Sequence, residues 1–193
     1  YSHQSQGLAE QGVAAVQAFV RTIQSRLGEI LRELGPTDAA LAWAIRHAAW
    51  TITRFRVLPT GRTSHYLLTH RHYRGTVCEL FETVWARDPS KAADEAKLVP
   101  RWHRALWLGK SEGSDEHLVS YDGNRVLRVR SVRRLPPTER FNRTRFDSLV
   151  GTPWLTKTTG ELITGEGHAT SRRRYVTRQL IQEHGATPGC KAC

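Results

Sequence analysis

RALWLGKSEGSDEHLVSYDGNRVLRVRSVRR, residues 104–134, is the stretch on which the reading of the fold turns. Arg104–Lys110, His117–Tyr121 and Arg125–Arg134 are short runs rich in Val, Leu, Trp and Tyr, punctuated by Gly109, Gly113 and Asp122-Gly123-Asn124. Branched and aromatic side chains suit a pleated, half-buried surface, and Asp-Gly between two such runs is hairpin chemistry. With Thr83–Arg87 upstream, four or five short strands fall within about fifty residues, which predicts a small antiparallel β-barrel. Lys91–Lys97, charged and Ala-rich, reads as a loop or a single helical turn.

Toward the N-terminus the period changes. Val13, Val16, Val20, Ile23, Leu27, Ile30 and Leu34 alternate spacings of three and four, which predicts one helix over residues 8–34 with a continuous apolar stripe. Gly35-Pro36 should end it, and Thr37 or Asp38 should cap a second helix. There Leu41, Ile45, Ala48, Ile52 and Phe55 share one face, while Trp43, His47 and Trp50 mark another. A helix with Trp on a second face is buried on more than one side, and His47 reads as a core histidine. Pro59-Thr60-Gly61 is a turn, and Ser64–Thr69 a short helix.

Beyond Pro136-Pro137 the pattern thins. Residues 138–170 read as an extended linker with Trp154 as a lone anchor, and Thr170–Glu183 as a last helix. The expected fold is therefore α+β. An N-terminal helical hairpin spans residues 1–75, a small antiparallel β-barrel 76–136, and a largely extended basic tail 137–193.

Charge narrows the function. Twenty-nine basic residues against eighteen acidic ones leave +11 over 193 residues, and 24 of the 29 are Arg. The guanidinium is a rigid fork of donors matched to phosphate, so the excess points to a nucleic acid. Residues 125–193 hold +9 of it, and Arg125, Arg128, Arg130, Arg133 and Arg134 form its densest run. Arg128 and Arg130, two apart on one strand, should share a face. No run of apolar residues is long enough for a membrane span, and the uncharged Tyr1-Ser2-His3-Gln4 opening carries no signal-peptide pattern. With no Met in the chain, the expectation is a fragment. Three Cys make no disulfide framework, which fits a reducing intracellular setting, nucleus or cytoplasm.

Cys190-Lys191-Ala192-Cys193 is half of a zinc site, and His184 adds a third donor; a closed structural Zn2+ site needs a fourth. Gly109-Lys110-Ser111 fails as a phosphate loop because Arg104 stands where that loop requires Gly.

Ser5-Gln6-Gly7-Leu8-Ala9-Glu10, read as a loop running into the long helix, resembles the third acidic motif of retroviral and retrotransposon integrases. Trp43–Phe55 resembles the next helix of copia-type integrases, with Thr53 in place of an Asn. Lys97–Ser111 resembles the small β-module that follows the copia core, and Ser114–Val119 and Val132–Pro136 resemble strings of dinoflagellate copia-like polyproteins. The likeness covers residues 4–135. It implies a ribonuclease H-like core whose distal helices are present and whose sheet is not. It also implies DNA integration by metal-dependent polynucleotidyl transfer. Glu10 would be the third carboxylate on Mg2+ or Mn2+, and the partners would be DNA, the rest of the Pol polyprotein and a multimer.

No acidic residue precedes Glu10, so the two Asp of that triad are absent and the chain alone is expected to be inactive. Where the family has Phe-Gly-Glu, this chain has Leu80-Phe81-Glu82, strained if the turn needs a positive φ. The alternative reading is a basic DNA- or RNA-binding module that was never catalytic. Three structural expectations follow: a partly uncovered Val13–Leu34 stripe, Glu10 exposed in the first helical turn, and DNA contact dominated by Arg125–Arg145.

Overall fold

Two long helices come first, α1 over His3–Ile30 and α2 over Ala39–Phe55, in a computed structural model that describes residues 3–87, 100–121 and 126–154. The expected Thr170–Glu183 helix and the Lys91–Lys97 segment lie outside those residues.

α1 starts earlier and stops earlier than its apolar stripe suggests. Ser5-Gln6-Gly7 is helical, not a loop. The helix ends before Gly35 because the chain is pinned at Arg32. That guanidinium donates to the carboxylates of Asp38, at the head of α2, and Asp147, far along the chain. The stripe is covered unevenly: Leu27 and Val20 are buried, whereas Val13 is 58% exposed. On α2 the core face is the one with the tryptophans. Trp43, Ala44, His47, Ala48 and Trp50 are buried, whereas Ile45 and Phe55 remain exposed. A short α3, Ser64–Thr69, follows, its first turn capped by the Thr63 hydroxyl accepting from the Tyr66 N–H.

The strands are β1 (Thr83–Arg87), β2 (Trp102–Lys110), β3 (His117–Ser120), β4 (Val126–Val129) and β5 (Val132–Arg134). They form one sheet in the order β4-β3-β2-β1-β5, every neighbouring pair antiparallel. Two expectations change here. The sheet is open, with β4 and β5 as unpaired edges, so it is not a closed barrel. Arg125–Arg134 is not one strand either: it breaks at Arg130-Ser131, and its halves occupy opposite edges of the sheet.

That break bends the sheet. Val129 and Val132 are separated by three Cα steps, a reach of at most about 11 Å. In a flat sheet the outermost of five strands would lie about 19 Å apart. The sheet therefore rolls until its two edges approach at this end. The packing agrees. Val84, Ala86, Ala105, Trp107, Val119 and Val129 form one buried cluster, with Val132 packed against it, so both edges border the same interior.

The opposite face carries the helices. Leu27 and Leu31 from the α1 end, Ala40, Trp43 and Ala44 from α2, and Leu106, Leu108 and Leu118 from the sheet share a second cluster. The segment after Pro136 joins them, contrary to the extended linker expected there. A 3-10 turn at Pro137–Glu139 and a short α4, Arg143–Asp147, bring Phe146 and Leu149 into the core. Phe146 meets Phe81 edge to face at 5.0 Å. The indole N–H of Trp43 donates to the Gly151 carbonyl at 2.7 Å. Trp154, expected to anchor, is 55% exposed. A five-residue helix is too short to show a period, which is why the sequence reads as thin there.

Candidate nucleic-acid interface

The arginines of the basic run have different partners. Arg125 lies outside the described residues. Arg128 is half-buried on β4, opposite Leu118. Arg130 lies past the end of β4, so it does not share a strand face with Arg128 as expected; it is exposed, 3.4 Å from the Glu116 carboxylate.

Arg134 is engaged inside the fold. Its guanidinium donates to both oxygens of the fully buried Glu82, at 2.7 and 2.8 Å. Those hydrogen bonds hold Arg134 more firmly protonated than usual. Glu82 also accepts from the Glu79 N–H and lies 3.5 Å from Arg140. A buried carboxylate held this way is structural, so Arg134 is not available to a phosphate without dismantling the site.

Arg133 belongs to a different surface. The register sets Arg104, Trp85 and Arg133 in one cross-strand row over β2, β1 and β5, and Trp102 opposite Arg87 in the next. Side chains two apart on a strand share a face. Leu106, two residues beyond Arg104, is packed in the helical cluster, so this row continues the helix-bearing face. The helices cover one end of that face. At the other end Trp85 is 37% exposed, Arg87, Arg104 and Arg133 are exposed, and Trp102 is half-buried.

Aromatic rings and guanidinium groups alternate across this patch. Arg104 lies over the Trp85 ring at 5.4 Å, and Arg133 over the Trp102 ring at 4.4 Å. Arg104 also donates to Glu139 at 2.6 Å. Both partners are nearly half exposed, and such a pair contributes only about 0–1 kcal/mol. A phosphate can therefore compete for Arg104. The sequence signal was the spacing Trp85-Ala86-Arg87 and Trp102-His103-Arg104; only the register reveals that these pairs face the same way.

A second polar group surrounds the bulge in β2. The register slips between Trp107 and Gly109, and Gly109 has φ +123°. Arg46 donates to the Lys110 carbonyl at 2.9 Å. The Lys110 ammonium is buried and donates to the Asp115 carbonyl at 2.8 Å, while the Tyr73 hydroxyl donates to the Asp115 carboxylate. Lys110 is thus spent inside the fold, in keeping with rejection of a phosphate loop. Burial, then the nearby Arg46 charge, pushes His47 down to about 4. Burial, then Lys110, does the same to His117. The His117 ring accepts a hydrogen bond from the Trp107 indole at 3.0 Å. Both histidines are neutral near pH 7, and His47 is the core residue expected.

Glu10 lies in the second turn of α1, not the first, and is exposed. Among the described residues no three His, Cys, Asp or Glu side chains gather as a metal site. The described residues therefore do not assemble a two-metal centre around Glu10. His184, Cys190 and Cys193 lie outside them. Among the described residues no helix is long and apolar enough to cross a membrane. No protein-family model, curated protein or solved structure matches the chain.

Proposed function

We propose that this chain is the distal part of a copia-type retrotransposon integrase, contacting DNA through its basic sheet face and performing no strand transfer alone. Kinship is supported by the order of its motifs and by Phe81, which stands where the family carries Gly. Its φ is +65°, a conformation that Gly adopts without cost and Phe does not. In the intact polyprotein, Glu10 would join two upstream Asp on Mg2+ or Mn2+, and multimers would act in the nucleus. The terminal His184, Cys190 and Cys193 would begin a Zn2+ unit.

DNA contact rests on one observation: Arg104 and Arg133 stand exposed on one sheet face of a chain carrying +11. Phosphate contacts of this kind position without reading bases. The test is titration of a fluorescent duplex at several salt concentrations. R104A and R133A should each weaken binding and lower the log–log salt slope by about 0.9. E139Q, which removes the carboxylate beside Arg104, should tighten it. Arg134 is left intact, because its replacement would unsettle the fold. Absence of binding, or binding indifferent to salt, would overturn the reading.

A basic binding module of other origin is the second reading, favoured by Ser5-Gln6-Gly7 lying inside a helix and not in a loop that opens it. The coding sequence upstream of Tyr1 separates the two. Two Asp codons in strand-like contexts support the integrase, and a start codon close by without them supports the module.

A further inference from the structure

We infer that the Trp85–Trp102 face binds unpaired, single-stranded DNA in preference to duplex, by base stacking between arginine-bound phosphates. The inference rests on the DNA reading above and adds the form of DNA that this face selects.

Shape comes first. The duplex major groove admits a helix or a two-stranded ribbon. The patch spans three adjacent strands, β2, β1 and β5, on the outer face of a rolled sheet, so it is too broad to enter a groove. It can meet a duplex only along the phosphates, where indole rings gain nothing. An unpaired strand offers base faces, and every base has one.

Chemistry comes second. Trp85 and Trp102 are diagonal neighbours on β1 and β2, and such positions lie about 7–8 Å apart. Each ring has a guanidinium over it. Bases stack on indole and on guanidinium planes alike, so the two pairs make two adjacent stacking platforms. Arg104 and Arg133 flank Trp85 in the same row, within reach of the phosphates on either side of a stacked base. The cation is matched to the polyanion and the ring to the base. An apolar protein partner would leave these guanidinium groups desolvated, which disfavours it.

The experiment uses the full 193-residue chain and fluorescein-labelled oligonucleotides: an oligo-dT strand, a duplex of equal length, and oligo-U. Binding is followed by anisotropy. The wild type should hold oligo-dT more tightly than duplex. W85L and W102L should each weaken oligo-dT binding about tenfold while leaving duplex binding nearly unchanged, and W85F and W102F should restore most of the loss. Thermal melts confirm that each variant is folded. Should a Leu variant not fold, quenching of wild-type Trp fluorescence by oligo-dT, reduced in W85F/W102F, takes its place. Equal loss for strand and duplex, or unchanged oligo-dT affinity in the Leu variants, overturns the stacking inference and leaves the DNA reading standing. Tighter binding of oligo-U than of oligo-dT overturns the choice of DNA. Failure to bind any of the three overturns both readings together.

Discussion

Replacing Arg134 with Ala would leave the Glu82 carboxylate buried, with Arg140 at 3.5 Å and the Glu79 N–H as remaining partners. Stripping one partner from a buried ion pair costs about 3–5 kcal/mol. Because Arg134 is itself partly exposed and Arg140 remains, a loss of about 2–4 kcal/mol is expected. R133A, on the open face, loses only the contact with the Trp102 ring and should cost no more than about 1 kcal/mol. Urea midpoints compare the two; equal losses would mean that Glu82 does not depend on Arg134. Two adjacent arginines thus differ by the face they occupy, which the sequence alone conceals until the register is known. The histidines give a pH signature. His47 and His117 titrate near 6.5 in the unfolded chain and near 4 when folded. Between those values the unfolded state binds more protons, so stability rises with pH. Their contribution is complete above about pH 6.5, falls as pH drops toward 4, and amounts to up to about 3 kcal/mol each. A urea midpoint that stays flat from pH 7 to pH 5 would contradict this.

Among the elements, the head of α1 is the place to test helix against loop. Gly12 lies inside α1, exposed, with open space where a Cβ would go. In a helix interior Ala is better than Gly by about 0.5–1 kcal/mol, so G12A should raise stability by that amount. No gain would mean that this segment is not helical in solution. α2, α3 and β1 fall where the sequence placed them: burial imposes the spacing on α2 and β1, while α3, which buries no residue, follows the Pro59-Thr60-Gly61 turn. Their ends and partners were not. α1 stops at a side-chain clamp built from Arg32 and Asp147, residues 115 apart in sequence. The split of β4 from β5, which rolls the sheet, is encoded by no local pattern. The Trp and Arg face was visible as composition and invisible as a surface, since two strands and their register must combine to make it. Leu80-Phe81-Glu82 hides its geometry differently: Phe81 has φ +65°, a left-handed conformation that no glycine in the stretch announces.

At the scale of the molecule, the described helices cover one end of the outer sheet face and not the other, while the roll encloses a second core. The crossing at Arg130-Ser131 is the feature that sets this shape. Its consequence is kinetic. The β1–β4 meander forms between sequence neighbours, but β5 must find β1 at the far side of the sheet, pairing Trp85 with Arg133 across 48 residues. Closing so long a loop is costly before its contacts reward it, so this docking belongs late on the folding route. A destabilising change at a late-forming contact appears in the unfolding rate and spares the folding rate. V132A, removing two methyl groups at the edge of the inner core, should cost about 1 kcal/mol and speed unfolding about fivefold in stopped-flow denaturant jumps, with refolding nearly unaltered. Slowed refolding with unchanged unfolding would place the β1–β5 pairing in the nucleus instead. On the expected outcome, the meander with β5 undocked is the form the chain passes through last before it is native and first when it leaves, and in that form β1 has one free edge that another chain can pair with.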